Sequence, residues 1–260
     1  MLPALVLFGA LLFTACNKDN EEIVSDLVTE EDVLAAQNID NDVDDAVDEA
    51  LESRGNGGGD CPEVTVDPDD GSFPRTVTVD YGDDGCEGPH GHIRRGKIII
   101  TQTDTMKNPG AVRTVTYENF YVDDVLVEGS KTWENLGVDD DGNVTLQRSV
   151  EHTLTFPNGH TASWVANHTF TQLEGGNTPA HIDDVFEITG GSEGVNRMGK
   201  SFSVSITTPL IRKKFCPWIV SGVKEITVDG KTRILDYGDG DCDPFAQLTL
   251  PNGEVRDIII

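Results

Sequence analysis

From Cys61 to the last residue, the chain carries runs of Thr, Val and Ile cut by turn-forming pairs about every ten residues. That rhythm permits few folds. Side chains branched at Cβ suit a pleated surface, whereas pairs such as Asp123-Asp124, Asp141-Gly142, Gly175-Gly176 and Asp229-Gly230 reverse the chain. Strands are expected to begin near Thr76, Lys97, Arg113, Leu126, Val144, Thr161, Val185, Phe202, Ile219, Thr232, Gln247 and Val255. No alternation of strand and helix patterns is visible, which argues against a parallel sheet. The fold class is therefore all-β: an antiparallel meander of about 12 strands, curled into a closed barrel, a two-sheet sandwich or a long curved sheet, with one short N-terminal helix.

One hairpin can be read to its register. A three-residue loop, Pro157-Asn158-Gly159, with the glycine in the left-handed region, pairs Phe156 with His160. Leu154 then faces Ala162, His152 faces Trp164 and Val150 faces Ala166, so the large apolar residues of both strands, Val165 excepted, share one face. A two-residue loop would scatter them over both faces. The similar Pro251-Asn252-Gly253 loop gives no such separation in either register.

The first residues obey another rule. Met1 to Cys16 form an apolar run too short to span a bilayer as a mature helix, with small residues ahead of the cysteine. Thr14-Ala15-Cys16 resembles the bacterial lipobox, which implies a signal peptide over residues 1–15, lipidation of Cys16, passage through the lipoprotein export machinery and attachment to a membrane. Phe13 departs from the commonest residue at its position. The following Asn17-Lys18-Asp19-Asn20-Glu21-Glu22 resembles the acidic patch of surface-exported lipoproteins of the Bacteroidota, implying the outer membrane and favouring its outer surface.

Residues 16–60 read as an acidic tether. Residues 17–60 hold fifteen Asp and Glu against two Lys and Arg, within a formal charge of -27 for the whole chain. A charge of that sign excludes nucleic acid as a partner and adhesion to an anionic membrane by charge alone. Ile39, Val43, Ala46, Val47 and Ala50 fall on one helical stripe, so a short helix is expected over about 29–53, lying on the domain. A recruiting role for that helix is the alternative. Asn56-Gly57-Gly58-Gly59 reads as a hinge.

The chain uses one stretch twice. Cys61-Pro62 leads to Asp80-Tyr81-Gly82-Asp83-Asp84-Gly85-Cys86, and Cys216-Pro217 leads to Asp236-Tyr237-Gly238-Asp239-Gly240-Asp241-Cys242. Arg95-Gly96-Lys97-Ile98-Ile99-Ile100 follows the first copy and Arg256-Asp257-Ile258-Ile259-Ile260 the second, defining modules at 61–100 and 216–260 at the two ends of the β domain, 61–260. Tyr81 and Tyr237 are expected to occupy equivalent positions. The first string, with Asn119-Phe120, Asn196-Arg197-Met198-Gly199-Lys200 and Cys216-Pro217-Trp218-Ile219-Val220-Ser221-Gly222, resembles a group of Bacteroidota lipoproteins without an assigned activity. The resemblance implies a location and a β architecture, and no reaction.

Five cysteines divide into one lipid carrier and four others. An oxidising compartment makes disulfides the default, with Cys61–Cys86 and Cys216–Cys242 as the pairing that repeats itself and Cys61–Cys216 with Cys86–Cys242 as the crossed alternative. No Cys-x-x-Cys spacing suggests zinc. Asp83, Asp84, Asp239, Asp241 and Asp243 crowd the two glycine-rich turns, and oxygen ligands on loops suit Ca²⁺, although Asp-Gly is also ordinary turn chemistry. His90-Gly91-His92 lacks an evident third ligand and reads as a solvated loop. Trp133, Trp164 and Trp218 with Phe156 and Phe170 suit either a carbohydrate-stacking platform or core filling. Asp104-Thr105-Met106 resembles the short O-glycosylation acceptor of exported Bacteroidota proteins. No catalytic constellation stands out. The expectation is a non-enzymatic, lipid-anchored outer-membrane protein for binding, adhesion or envelope structure, with a glycan or protein partner. A barrel-like carrier of a small ligand or glycan is the alternative, and a hydrolase a third reading.

Overall fold

A computed structural model of the chain describes residues 38–51, 61–88, 91–176, 178 and 181–260. The expected signal peptide, Cys16, the expected hinge and the start of the expected helix lie outside them. Residues 38–51 form one α-helix, α1. Fourteen strands follow: β1 (Glu63–Asp67), β2 (Arg75–Asp80), β3 (Cys86–Glu87), β4 (Ile93–Gln102), β5 (Val112–Val122), β6 (Val125–Val138) and β7 (Val144–Thr155). The second half contains β8 (Thr161–Glu174), β9 (Val185–Val195), β10 (Ser201–Lys213), β11 (Ile219–Val228), β12 (Lys231–Asp239), β13 (Phe245–Thr249) and β14 (Val255–Ile259).

All fourteen belong to one antiparallel sheet in which, β3 apart, each strand pairs with its neighbours in sequence; β3 pairs only with β4. The sheet stays open, with β1 and β14 as its edges, so the antiparallel meander is as expected and, of its three forms, the closed barrel falls away, leaving a curled sheet or a sandwich. Closure would require β1 to pair with β14, and each of these has a hydrogen-bonded neighbour on one side only. All twelve expected strands are present, and the short β1 and β3 are additional. The hairpin register is also as read: Phe156 N donates to the His160 carbonyl at 2.9 Å, and Leu154, His152 and Val150 face Ala162, Trp164 and Ala166.

The sheet curls around α1. Its apolar stripe, Ile39, Val43, Ala46, Val47 and Ala50, is buried in a cluster with Val77, Ile98, Phe120, Leu154, Trp164 and Ile226 from strands across the sheet. A second cluster, built on Phe170, Leu210, Leu235, Tyr237 and Leu248, fills the curl toward β13.

Several glycines mark bulges. At the register break between Arg95 and Lys97, Gly96 has φ +82, and a Cβ there would lie 1.9 Å from the Asn119 carbonyl oxygen. Gly110 has φ +83 with open space around it. Gly110→Ala should therefore cost about 1–2 kcal/mol for the left-handed backbone alone, and Gly96→Ala about 1–3 kcal/mol more for the clash. Equal urea midpoints for the two variants would refute this account of the bulge.

Candidate functional site

The sequence reading lays the apolar stripe of the helix on the domain, and the structure buries two of its acids as well. Asp40 and Asp42 are buried, and α1 lies against basic residues from one end of the curl to the other. Arg94 on β4 is 1% exposed; its Nε donates to Asp42 Oδ2 at 2.9 Å and its Nη2 to Asp42 Oδ1 at 2.8 Å. Nη2 also reaches the Asp42 carbonyl at 3.1 Å, and Nη1 donates to Glu49 at 3.3 Å. On β6, the fully buried Lys131 donates to the Asp40 carbonyl at 2.9 Å and to Asp44 Oδ1 at 3.1 Å. On β7, His152 Nδ1 lies 3.1 Å from Asp40 Oδ1, and Arg148 Nη1 lies 3.5 Å from Asp44 Oδ2. Across the curl, Arg212 on β10 donates to Asn41 at 3.0 Å, and Lys214 just beyond donates to Asp48 at 2.9 Å. One helix thus bridges strands on opposite sides of the curl.

Burial opposes the charge on Asp40, yet Lys131, with His152 and Arg148 behind it, holds that carboxyl far below the usual range. Burial opposes Asp44 as well, and Lys131 and Arg148 hold it down. A carboxyl lowered in the folded state contributes stability that is present above its unfolded pKa of about 4 and is lost as pH falls through the folded value. The seating of α1 should therefore be constant from neutral pH to about 4 and weaken steadily below it. Hydrogen exchange of the α1 amides measured from pH 7 to 3, corrected for intrinsic rates, checks this; protection unchanged at pH 3 would contradict it.

The repeated modules have a structural explanation. Both disulfides of the repeating pairing are present, Cys61–Cys86 and Cys216–Cys242, with Cα atoms 5.9 and 5.8 Å apart. In each copy the Asp of Asp-Tyr-Gly turns the chain: Asp80 Oδ1 accepts from Gly82 N and Asp236 Oδ1 from Gly238 N, both at 2.9 Å. Tyr81 and Tyr237 are both buried, and a cation faces each ring, Arg94 at 6.0 Å and Lys224 at 5.4 Å. Burial pushes the Tyr81 phenol up to about 12. The likeness ends past the second cysteine: Ile98–Ile100 lie on β4, which pairs directly with β2, whereas Ile258 and Ile259 lie on β14, which β13 separates from β12.

Of the expected ligand residues, Asp83 and Asp84 are exposed in the first turn. Asp239, Asp241 and Asp243 border a shallow cleft beside β12 and β13. Among the described residues no three His, Cys, Asp or Glu side chains are arranged to hold a metal, so the calcium expectation gains no geometric support. His92 pairs with Asp123, which also accepts from Ile93 N, while His90 lies outside the described residues.

The aromatic residues do not form one platform. Trp164 and Phe170 are buried in separate clusters, Trp133 packs on Phe170 with ring centroids 4.7 Å apart, and Phe156 packs against the first cluster and takes Arg197 over its ring. Trp218 alone meets a large cleft, about 670 Å³, between the outer side of α1 and the second module. Asp45, Asp48 and Glu49 border that cleft from the helix, with Phe215 and Ile182 among its exposed apolar residues.

The basic residues that hold α1 were missed in the sequence, although one signal was available. The hairpin register that places Val150 and His152 inward places Arg148 inward too, and Lys131 sits directly opposite Val150. No known family model describes the chain, and no characterised protein or solved structure is detectably similar to it. The fold and its site thus define an all-β protein built around a buried acidic helix, and the role must be argued from the geometry.

Proposed function

We propose that the chain is a lipid-anchored outer-membrane protein, displayed at the cell surface, whose β domain serves binding, adhesion or envelope structure and catalyses no reaction. The observation that carries this reading is the seating of α1. The concave face, where a curled sheet would otherwise receive a substrate, is taken up by the helix that follows the lipid-bearing tether, and Arg94 and Lys131 clamp it there. Such a helix would hold the end of the tether nearest the sheet against the β domain. In this reading Cys16 carries the lipid, and the lipoprotein export machinery is the obligatory partner. Globomycin or Cys16→Ser should release the protein from the membrane fraction, and protease added to intact cells should remove the β domain. Retention after Cys16→Ser would refute the anchor; full protection from protease would place the domain on the periplasmic side.

A glycan or other small ligand is the second reading, and Trp218 favours it. An aromatic face beside Asp45, Asp48 and Glu49 in an open cleft suits a sugar, which stacks on the ring and donates hydroxyls to carboxylates. Binding to a glycan array that is lost in Trp218→Ala supports this reading, and unchanged binding removes it.

A further inference from the structure

Beneath α1, the concave face over β7 to β11 keeps a cavity of about 90 Å³. It lies where β10 loses register with β9 between Ser205 and Leu210, with Ile206 and Leu210 in its wall. Phe170, Ile188 and Leu210 supply apolar walls. Against that background three cationic side chains reach the cavity from three strands, Arg148, Arg212 and Lys224, with His168 and Ser192 beside them.

The one carboxylate in the lining is Asp40, shared with Lys131 and His152; just outside it Asp44 pairs with Arg148 at 3.5 Å, and Arg212 donates to the neutral Asn41. Arg148 Nη2 lies 3.2 Å from His168 Nδ1, while its buried Nε has no hydrogen-bond acceptor among the described residues. Burial, together with the nearby Arg148, lowers Lys224 to about 8. Burial, with Arg148 and Lys224, lowers His168 to about 3, so this imidazole is uncharged at neutral pH. Like charges gathered out of water are costly, and a bound anion relieves that cost.

We propose that this cavity is a binding site for one small anion, of the size of a halide, a carboxylate or a phosphate, held among Arg148, Arg212 and Lys224 with Ser192 as a hydroxyl donor. The volume accommodates several waters or one such ion, and falls well short of the several hundred Å³ that a drug-sized ligand occupies. The site adjoins the Trp218 cleft, with Asn41 and Arg212 in the walls of both, and is independent of the lipid anchor.

The test is thermal unfolding of the full chain titrated with sodium bromide, formate and phosphate at constant ionic strength. At least one of the three should raise Tm along a saturating curve, as a ligand bound only by the folded state does. Lys224→Met should weaken that ion about tenfold or more, since a charge-assisted contact is removed. Ser192→Ala changes no charge and guards against misfolding of the first variant; it should weaken the same ion about fivefold. A rise that never saturates, no rise with any of the three ions, or equal affinity in the wild type and the folded variants overturns the proposal.

Discussion

Lys131→Met should destabilise the protein by about 3–5 kcal/mol, the usual cost of removing one partner from a buried ion pair. The side chain is fully buried and supplies the closest positive charge to both Asp40 and Asp44. Methionine fills much the same space, so the loss is not one of packing. What remains is a pair of carboxylates out of water, with His152 beside Asp40 and with Arg148 and the more distant Arg212 acting on Asp44. Adding Asp44→Asn to Lys131→Met should recover part of the loss, because one of the two stranded charges is then gone. Guanidinium unfolding of the wild type, both single variants and the double variant closes the cycle. A cost below about 1 kcal/mol for Lys131→Met would mean that water reaches the pair and that the helix is held by its apolar stripe alone.

The second large effect is expected from the disulfides. Cys216→Ala with Cys242→Ala should cost about 3.5 kcal/mol on the chain-entropy model, and Cys61→Ala with Cys86→Ala nearly the same. The loops they close span sequence separations of 26 and 25. Loop entropy therefore does not distinguish them, and burial does. Each bridge has one exposed member, Cys61 and Cys242, but Cys216 is 1% exposed whereas Cys86 is half-buried, so the second pair should prove the more costly to remove by the small cavity it leaves. The two losses should add, since the bridges lie in separate modules. Urea midpoints of the two double-alanine variants and of the quadruple variant measure both points. A strongly non-additive result would show that the two ends of the sheet communicate.

The sheet was legible in the sequence because hairpins are local. Asp123-Asp124 and Asp229-Gly230 each place two residues in the left-handed region, and Pro157-Asn158-Gly159 sets a register that carries the apolar residues to one face. The disulfide pairing was legible because the module occurs twice. The seating of α1 was not, since it depends on contacts between residues far apart in sequence. Asp42 meets Arg94 and Asn41 meets Arg212 only after the sheet has curled, and nothing in a run of aspartates says which of them will leave water. The limits of the repeat were hidden for a similar reason: matching triplets of isoleucine do not reveal that β13 stands between one of them and its module.

The order of the strands bears on how the molecule comes to exist. Nearly every strand pairs with the next one along the chain, so the sheet can grow hairpin by hairpin as residues emerge, without waiting for distant partners. The helix is the exception. It precedes the whole sheet, yet the contact between Asn41 and Arg212 closes a sequence separation of 171 residues. The helix can thus meet Arg94 and Lys131 once β4 to β6 are in place, but its contacts across the curl, Asn41 with Arg212 and Asp48 with Lys214, must wait for β10.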